Sequence, residues 1–242
     1  MKYPKMIIFD YGRTLLCEPE FDLKRATVEL FKYVTKNPNG YTVEDVCSYA
    51  DEIYDKHINI LRNSGYDIGK QTIDKLIYEH LGIEFSLTPL EMEIIFWRGA
   101  SKGEIMPDAD EIIDYINQKG IRSAVISNLI YSGDALTERI NRLLPNNNFE
   151  FVMTSSDYIF RKPNKIMFET ALQKAELDAS DVWYCGDDII CDIEAASAVG
   201  IFPVWYDNDT DANVDNIKPN CEHLHIHEWD ELIKLLEKNY EK

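Results

Sequence analysis

The fold of this 242-residue chain is organised around one stretch, Lys5-Met6-Ile7-Ile8-Phe9-Asp10-Tyr11-Gly12-Arg13-Thr14-Leu15. Its apolar run predicts a short buried strand that stops at Asp10 and Gly12. In open parallel α/β sheets, ligands bind outside the carboxyl ends of the strands. Asp10 therefore has two interpretations: a carboxylate of such a site, or a residue that only ends a strand and caps a turn.

Strand and helix patterns alternate after Pro107, which predicts a parallel, doubly wound α/β sheet. Several predicted strands of this region end in polar residues. The first stops at Ser127-Asn128, the next leads through Thr154-Ser155-Ser156 toward Lys162, and a third stops at Gly186-Asp187-Asp188. Because strand ends at one sheet edge are close in space, these side chains and Asp10 are expected to face a common crevice.

The polar groups of that crevice suit a particular chemistry. Carboxylates this close repel one another unless a cation compensates, and a hard divalent ion such as Mg²⁺ prefers oxygen ligands. A hydroxyl, an amide and a lysine can hold the remaining oxygens of a phosphoryl group. The pattern is therefore compatible with a site for a divalent cation such as Mg²⁺ and for a phosphoryl group.

Residues 20–100 differ in character, because no strand signal interrupts them. The pattern predicts a helix from Phe21 to Asn37, a longer one that begins after the N-cap Thr42, and two more before residue 100. We interpret this region as an all-helical insertion of about 80 residues. That length suits a small domain or a lid.

Composition limits the partners. The chain has 43 acidic and 25 basic residues and a formal net charge of -18, which would repel nucleic acid and anionic membrane surfaces. We find no apolar run long enough to span a bilayer and no signal-peptide pattern, so we predict a cytoplasmic protein. Its five scattered cysteines form no C-x-x-C pair, which argues against a disulfide framework. The oligomeric state is not predictable.

The chain carries four short motifs in order: Asp10 with Thr14 and Leu15, then Ser127-Asn128, then Lys162-Pro163, and finally Gly186-Asp187 with Asp192. Together they resemble the motifs of the haloacid dehalogenase (HAD) superfamily. The resemblance covers roughly residues 5–16 and 103–206. It implies a Rossmann-like core formed by residues 1–16 and 101–242, with residues 17–100 as a helical cap.

The resemblance also implies roles for individual residues. Asp10 would be the nucleophile that forms an aspartyl-phosphate, and Lys162 would offset charge on the carboxylates. Mg²⁺ would be held by Asp10, the Gly12 backbone carbonyl, and Asp187 or its neighbour Asp188. The phosphoryl group would be bound by Ser127, Asn128 and Lys162, with Thr14 and Asp192 in supporting positions.

One departure from the family pattern concerns Gly12. Phosphatases of the family carry a second aspartate there, which protonates the leaving group, whereas Gly12 has no proton to give. General acid–base catalysis typically contributes about 10²- to 10⁴-fold, so the sequence predicts a slow phosphatase, or one whose substrate needs no acid help. Two alternatives remain: a weak or inactive phosphate- and metal-binding regulatory protein, and a carbon–phosphorus or carbon–halogen hydrolase, the former with Lys56 as a candidate Schiff base.

Two other features have an ordinary interpretation beside a functional one. His223, His225 and His227 alternate along one predicted strand, which is typical of an exposed strand face and also compatible with a metal site. The acidic, Asn-rich run from Asp207 to Asn216 predicts a solvated loop.

Overall fold

The computed structural model describes residues 2–207 and 218–240. The predicted solvated loop lies, apart from Asp207, outside the described residues. The strands are β1 Met6–Phe9, β2 Leu16–Cys17, β3 Val34–Lys36, β4 Glu84–Phe85, β5 Glu104–Ile105, β6 Arg122–Ser127, β7 Val152–Thr154, β8 Val182–Gly186, β9 Phe202–Tyr206 and β10 Leu224–Ile226.

The helices follow the same chain order. The α-helices are α1 Leu23–Phe31, α2 Val43–Ile53, α3 Asn59–Asn63, α4 Lys70–Leu81, α5 Pro89–Ala100, α6 Ala109–Gln118, α7 Gly133–Leu143, α8 Ser155–Tyr158, α9 Lys165–Ala175, α10 Ala195–Ala198 and α11 Trp229–Tyr240. Two π-helical turns, Tyr54–Ile58 and Ile189–Glu194, and a 3₁₀ turn, Ala179–Asp181, complete the set for the described ranges.

Among the described residues, six strands form one parallel sheet in the order β10-β9-β8-β1-β6-β7. The predicted α/β class and doubly wound sheet are thereby confirmed. β1 lies between β6 and β8, with Phe9 paired to both Val125 and Cys185. This register brings Asp10 and the residues that follow β6 and β8 to the same edge.

The composition of β1 explains its central place. All four of its residues are fully buried, as expected of a parallel strand that helices cover on both faces. Ile7 and Phe9 belong to the larger apolar cluster, which includes α6, α7 and α11, while Met6 and Ile8 pack with α9 and α10. Helices on both faces hold the polar end of β1 rigidly at the sheet edge.

The segment between β2 and β5 is mainly helical, as predicted, with one correction. The helix expected to run from Phe21 to Asn37 ends at Phe31, and Val34–Lys36 pairs antiparallel with Glu84–Phe85. The β-branched pair Val34-Thr35 favours an extended backbone over a helix. The insertion therefore contains a small two-stranded sheet besides its helices.

Buried polar contacts join this segment to the sheet-bearing part of the chain. Glu93 of α5 is fully buried and accepts hydrogen bonds from Ser132 N and Oγ at 2.8 and 2.5 Å and from Gln71 at 2.9 Å. Asp67, also buried, accepts from Ser155 Oγ and forms an ion pair with Arg161 at 2.5 Å. No helix among the described residues has the length and apolarity to cross a membrane.

Candidate active site

The carboxyl ends of β1, β6 and β8 open into one pocket of about 480 Å³. Every residue to which the family resemblance gave a role, except Thr14, lies on its wall. The lining residues are Asp10, Tyr11, Gly12, Arg13, Cys17, Glu18, Ser127, Asn128, Leu129, Arg161, Lys162, Asp187, Asp188, Cys191 and Asp192.

Lys162 is the centre of the buried charge cluster. Its ammonium donates to Oδ1 of Asp10 and to Oδ1 of Asp192, both at 2.6 Å, and to the Tyr184 hydroxyl at 2.7 Å. Burial alone disfavours the ammonium, but the attraction of the Asp10 and Asp192 carboxylates outweighs it and raises the pKa of Lys162. Lys162 therefore stays protonated and neutralises part of the carboxylate charge.

Both carboxylate oxygens of Asp192 accept hydrogen bonds within the protein. Besides Lys162, its carboxylate accepts from the Tyr184 hydroxyl at 3.1 Å and from the Asp188 backbone N–H at 3.1 Å. The Asp192 side chain lies directly against the backbone of Gly186. A Cβ at Gly186 would lie 2.5 Å from the Asp192 carboxylate. Gly186 is thus the residue that lets Asp192 reach Lys162.

Asp187 is buried but lacks such a shell of donors. Arg13 Nη2 lies 2.7 Å from its Oδ2 as an ion pair, and that oxygen accepts no hydrogen bond from the described residues. Burial raises the pKa of Asp187 to about 7, and Asp10 and Asp192 add to the shift while Arg13 opposes it. Burial likewise raises the pKa of Asp10 to about 6, against the opposing effect of Lys162.

Asp188 and Asn128 organise the backbone around the pocket. Asp188 Oδ1 accepts from the N–H groups of Ile190 and Cys191 at 2.9 and 2.7 Å, as a helix N-cap. Asn128 Nδ2 donates to the Lys162 carbonyl at 2.8 Å, and its Oδ1 accepts from the Lys162 N–H at 2.7 Å. These contacts hold the backbone next to Asp187 and at Lys162 in place.

The other predicted residues occupy distinct places. Ser127 is buried on the pocket wall at the end of β6. Gly12 lies on the wall, and a Cβ there would meet no atom within 4 Å. Thr14 is fully buried, and its hydroxyl makes no hydrogen bond with the described residues.

Two candidates from the sequence lie elsewhere. Lys56 is exposed, pairs with Glu52 at 2.7 Å and is absent from the pocket wall. His225 and His227 form a partly exposed cluster with Asp207, whose ligand atoms lie within 4.8 Å of one another, while His223 contacts the Cys221 carbonyl. Neither feature belongs to the crevice.

Sequence reasoning missed several residues in and next to the crevice, among them Tyr184 and Arg161. Tyr184 lies inside an apolar strand, where an aromatic residue normally signals packing and not a hydroxyl that contacts lysine. Arg161 directly precedes Lys162 and lines the pocket while it pairs with Asp67. Its position next to Lys162 was a usable signal, but its partner is 94 residues away in the chain.

The donor set fits a hard divalent cation. One carboxylate oxygen each from Asp10, Asp187 and Asp192 lie within 4.8 Å of one another, and Mg²⁺ prefers such oxygen ligands. Lys162 and Tyr184 already donate to Asp192, whereas Asp187 Oδ2 pairs with Arg13 and accepts no hydrogen bond from the part of the chain that the structure describes. The carboxylates of Asp10 and Asp187 are therefore the pair best placed to bind a metal.

The sequence of this chain is similar to one protein family and to several curated proteins. The model of the family described as "Haloacid dehalogenase-like hydrolase" matches residues 7–205. A ribulose-1,5-bisphosphate 5-phosphatase from Halopiger xanaduensis is 30% identical over 43% of this chain and 42% of its own length. A glyceraldehyde 3-phosphate phosphatase from Pyrococcus abyssi is 29% identical over 42% of each protein.

These matches span less than half the length of the two curated relatives. A solved structure of a 2-haloacid dehalogenase from Pseudomonas syringae pv. Tomato shares the fold over 97% of this chain and 99% of that one. Its TM-score is 0.61 and its sequence identity is 21%.

Proposed function

This chain belongs to the haloacid dehalogenase-like hydrolases, and from that premise we propose that it hydrolyses the phosphate of a small phosphorylated molecule. The observation that carries the proposal is the buried arrangement of Asp10, Lys162 and Asp187 at the carboxyl edge of the sheet. The phosphatases among its relatives support the phosphoryl chemistry.

We assign the nucleophile to Asp10. Lys162 holds its Oδ1 at 2.6 Å, which fixes the carboxylate at the pocket wall and offsets its charge as a phosphoryl group approaches. An attack of the carboxylate on phosphorus would give an aspartyl-phosphate and release the leaving group, and water would then hydrolyse the acyl phosphate. Ser127 and Lys162 are the groups proposed to bind the phosphoryl oxygens.

We further propose that Mg²⁺ is the cofactor, bound by Asp10, Asp187 and the Gly12 backbone carbonyl. The bound ion would supply positive charge next to the phosphoryl group. Asp188 is committed to its N-cap contacts, which supports Asp187 as the ligand of the two. Asp192 is proposed to position Lys162. Asn128 is proposed to hold the Lys162 backbone next to the bound phosphoryl group. Thr14 is proposed to support the loop from within the core.

The substrate class follows from Gly12. Without an acid at this position, the leaving group must depart as an anion or carry its own proton. Acyl phosphates and phosphates of acidic alcohols meet that condition, whereas simple alkyl phosphates do not. The proposed substrate is therefore a small phosphate with a good leaving group.

The helical insertion is proposed to act as a cap. We divide the chain into a core of residues 1–16 and 101–242 and a cap of residues 17–100. The antiparallel pair of β2 with β5 joins the two ends of the insertion, with Leu16 opposite Ile105. A cap placed over the pocket would choose the leaving group and exclude water. We also propose a cytoplasmic location and no membrane or nucleic-acid partner, in view of the net charge of -18.

The proposal is tested by phosphate release from acetyl phosphate, p-nitrophenyl phosphate and glycerol phosphate, with Mg²⁺ or with EDTA. The expected result is Mg²⁺-dependent release from the first two substrates, lost in Asp10→Asn and retained in Asp110→Asn, which removes an exposed carboxylate. Release that persists in Asp10→Asn contradicts the nucleophile assignment.

The alternatives from the sequence give different outcomes in the same assay. A regulatory phosphate- and metal-binding protein would bind Mg²⁺ and tungstate but release no phosphate. A carbon–halogen hydrolase would release halide from 2-haloacids. The carbon–phosphorus alternative needs a reactive amine, and Lys56 is instead exposed and paired with Glu52.

A further inference from the structure

The strand β10, at one edge of the described sheet, carries a cluster of side chains that can bind a metal outside the catalytic pocket. His225 and His227 are separated by the buried Ile226, so both lie on the exposed side of the strand. Asp207 follows the neighbouring strand β9, and its backbone N–H donates to the Ile226 carbonyl at 2.8 Å. Strand pairing thus gathers a carboxylate and two imidazoles, with one ligand atom of each within 4.8 Å of the others.

The ring of His225 is held in one orientation. It stacks on the buried indole of Trp205, with the ring centroids 4.1 Å apart and the ring planes at 13° to each other. In this orientation Nε2 of His225 lies 3.0 Å from Oδ2 of Asp207. The imidazole and the carboxylate are therefore preorganised, which lowers the conformational-entropy cost of binding an ion between them.

His227 presents the second imidazole. Its Nδ1 lies 2.8 Å from the backbone carbonyl of Asp207. A carbonyl oxygen only accepts hydrogen bonds, so this contact assigns the ring hydrogen to Nδ1, and the neutral ring keeps a lone pair on Nε2. Histidines that bind metals commonly donate their other N–H group to a carbonyl in this way. His227 thus has the tautomer of a metal ligand.

The donor set favours Zn²⁺ over Mg²⁺, because imidazole nitrogens suit Zn²⁺ and Mg²⁺ prefers oxygen ligands. Around a tetrahedral Zn²⁺ with bond lengths of about 2.1 Å, ligand atoms lie about 3.4 Å apart. His225 Nε2 and Asp207 Oδ2 are 3.0 Å apart, so this pair needs to open only slightly. The two side chains are 39% and 17% exposed, which leaves water as a further ligand.

We infer that His225, His227 and Asp207 form a Zn²⁺ site, with two imidazole nitrogens and one carboxylate oxygen as the protein ligands. The ion takes the place of the hydrogen between His225 and Asp207, which leaves to solvent as a proton. This site goes beyond the proposed function and does not rest on it, because other residues line the catalytic pocket.

The site nevertheless adjoins the catalytic pocket through one side chain. The indole of Trp205 that stacks on His225 also donates from Nε1 to the backbone carbonyl of Asp187 at 3.3 Å. A Zn²⁺ ion on His225 would therefore lie one aromatic ring away from the backbone of a proposed Mg²⁺ ligand. The same stacking provides a reporter, because a paramagnetic ion such as Ni²⁺ quenches the fluorescence of a nearby indole.

Calorimetric titration of the full chain with ZnCl₂ in excess Mg²⁺ tests the inference. Mg²⁺ competes for sites made of carboxylates alone, and the expected result is one saturable Zn²⁺ site that Mg²⁺ does not displace. Co²⁺ in place of Zn²⁺ should give the visible spectrum of nitrogen and oxygen ligands, without the charge-transfer band of a cysteine thiolate. Ni²⁺ should quench tryptophan fluorescence with the same stoichiometry.

Variants of the cluster locate the ion. His225→Gln and His227→Gln should each weaken Zn²⁺ binding by more than about tenfold, the loss that follows even when a hydrogen-bond partner of a metal ligand is removed. Asp207→Asn, which removes the charged ligand, should also weaken it. His57→Gln removes an exposed histidine from the helical insertion and should bind Zn²⁺ as the wild type does. Circular dichroism checks that each variant is folded.

Several results would overturn the inference. No Zn²⁺ binding by the folded wild-type chain would make the cluster an ordinary surface ion pair. Full binding by the folded double variant of His225→Gln and His227→Gln would place the ion elsewhere, and a thiolate band with Co²⁺ would assign it to a cysteine. Loss of Zn²⁺ binding in Asp10→Asn would assign it to the catalytic pocket. These outcomes do not depend on whether the chain hydrolyses phosphates.

Discussion

The Nζ atom of Lys162 lies 2.6 Å from Oδ1 of Asp10, and both groups are buried. The same ammonium holds Asp192 at 2.6 Å. One cation thus serves two carboxylates that are far apart in the chain and meet only because β1 and β8 end at one edge. The charge balance of this cluster therefore depends on one ammonium group.

Removal of the Lys162 charge should damage both stability and activity. Lys162→Met leaves two buried carboxylates without their cation, and loss of one partner of a buried pair costs about 3–5 kcal/mol. Urea unfolding is expected to show a loss of this size. Lys165→Met breaks an exposed pair with Glu169 and should leave the midpoint unchanged. A stable Lys162→Met protein would show that the cluster does not depend on this ammonium.

The choice between Asp187 and Asp188 as metal ligand is open to a paired test. Asp187→Asn removes the carboxylate that faces Asp10 and should abolish Mg²⁺ binding in calorimetry. Asp188→Asn keeps a side-chain oxygen that can cap the turn at Ile190 and Cys191, because asparagine is as good an N-cap as aspartate. Its Mg²⁺ affinity should remain close to that of the wild type. The reverse pattern would move the metal ligand to Asp188.

Arg13 is expected to compete with the metal. Its guanidinium is an ion-pair partner of Asp187 at 2.7 Å, so a cation that binds this carboxylate must displace or repel it. Arg13→Gly should therefore bind Mg²⁺ several-fold more tightly, and glycine also suits the positive φ of 57° at this position. Arg13→Lys keeps the charge and should resemble the wild type. Weaker Mg²⁺ binding in Arg13→Gly would mean that Arg13 assists the site instead.

Gly12→Asp should add the missing acid. The backbone at Gly12 is not in the left-handed region, and a Cβ there would meet no atom within 4 Å, so the new side chain has room. The gain should be largest for alkyl phosphates, up to about 10²-fold, the lower end of the contribution of a general acid. Gly12→Asn has the same size but cannot transfer the proton, so its rates should stay at the wild-type level. Equal rates for the aspartate and asparagine variants would remove the proposed reason for the substrate preference.

The sequence predicted the sheet and the crevice well because both depend on local patterns. The apolar run of Met6 to Phe9 and the polar residue after it are visible without a structure, and parallel topology brings such ends together. The sequence did not reveal the Arg13 to Asp187 ion pair or the Tyr184 hydroxyl on Lys162, because each joins residues from different segments of the chain. Nor did the sequence reveal the hydrogen bonds between the Asn128 side chain and the Lys162 backbone, because they depend on the path of the chain after β7.

The structure of the insertion was harder to predict, because it also depends on contacts between residues that are distant in the chain. The helix ends at Phe31 because Val34–Lys36 finds a partner strand at Glu84–Phe85, some 50 residues later. Helical periodicity cannot report such a pairing. In the sequence, Lys70 and Asp74 look like an ordinary surface pair at i and i+4. The packing of α4 against α2 and α5 buries that pair.

The proposed mechanism requires that Asp10 forms an aspartyl-phosphate. The most direct test is a rapid-quench reaction with ³²P-labelled acetyl phosphate and Mg²⁺, followed by peptide mapping of the acid-quenched protein. The expected result is one transient phosphopeptide that contains Asp10, is absent in Asp10→Asn and forms only with the metal. Phosphate release without any labelled protein, or a label on another residue, would contradict it.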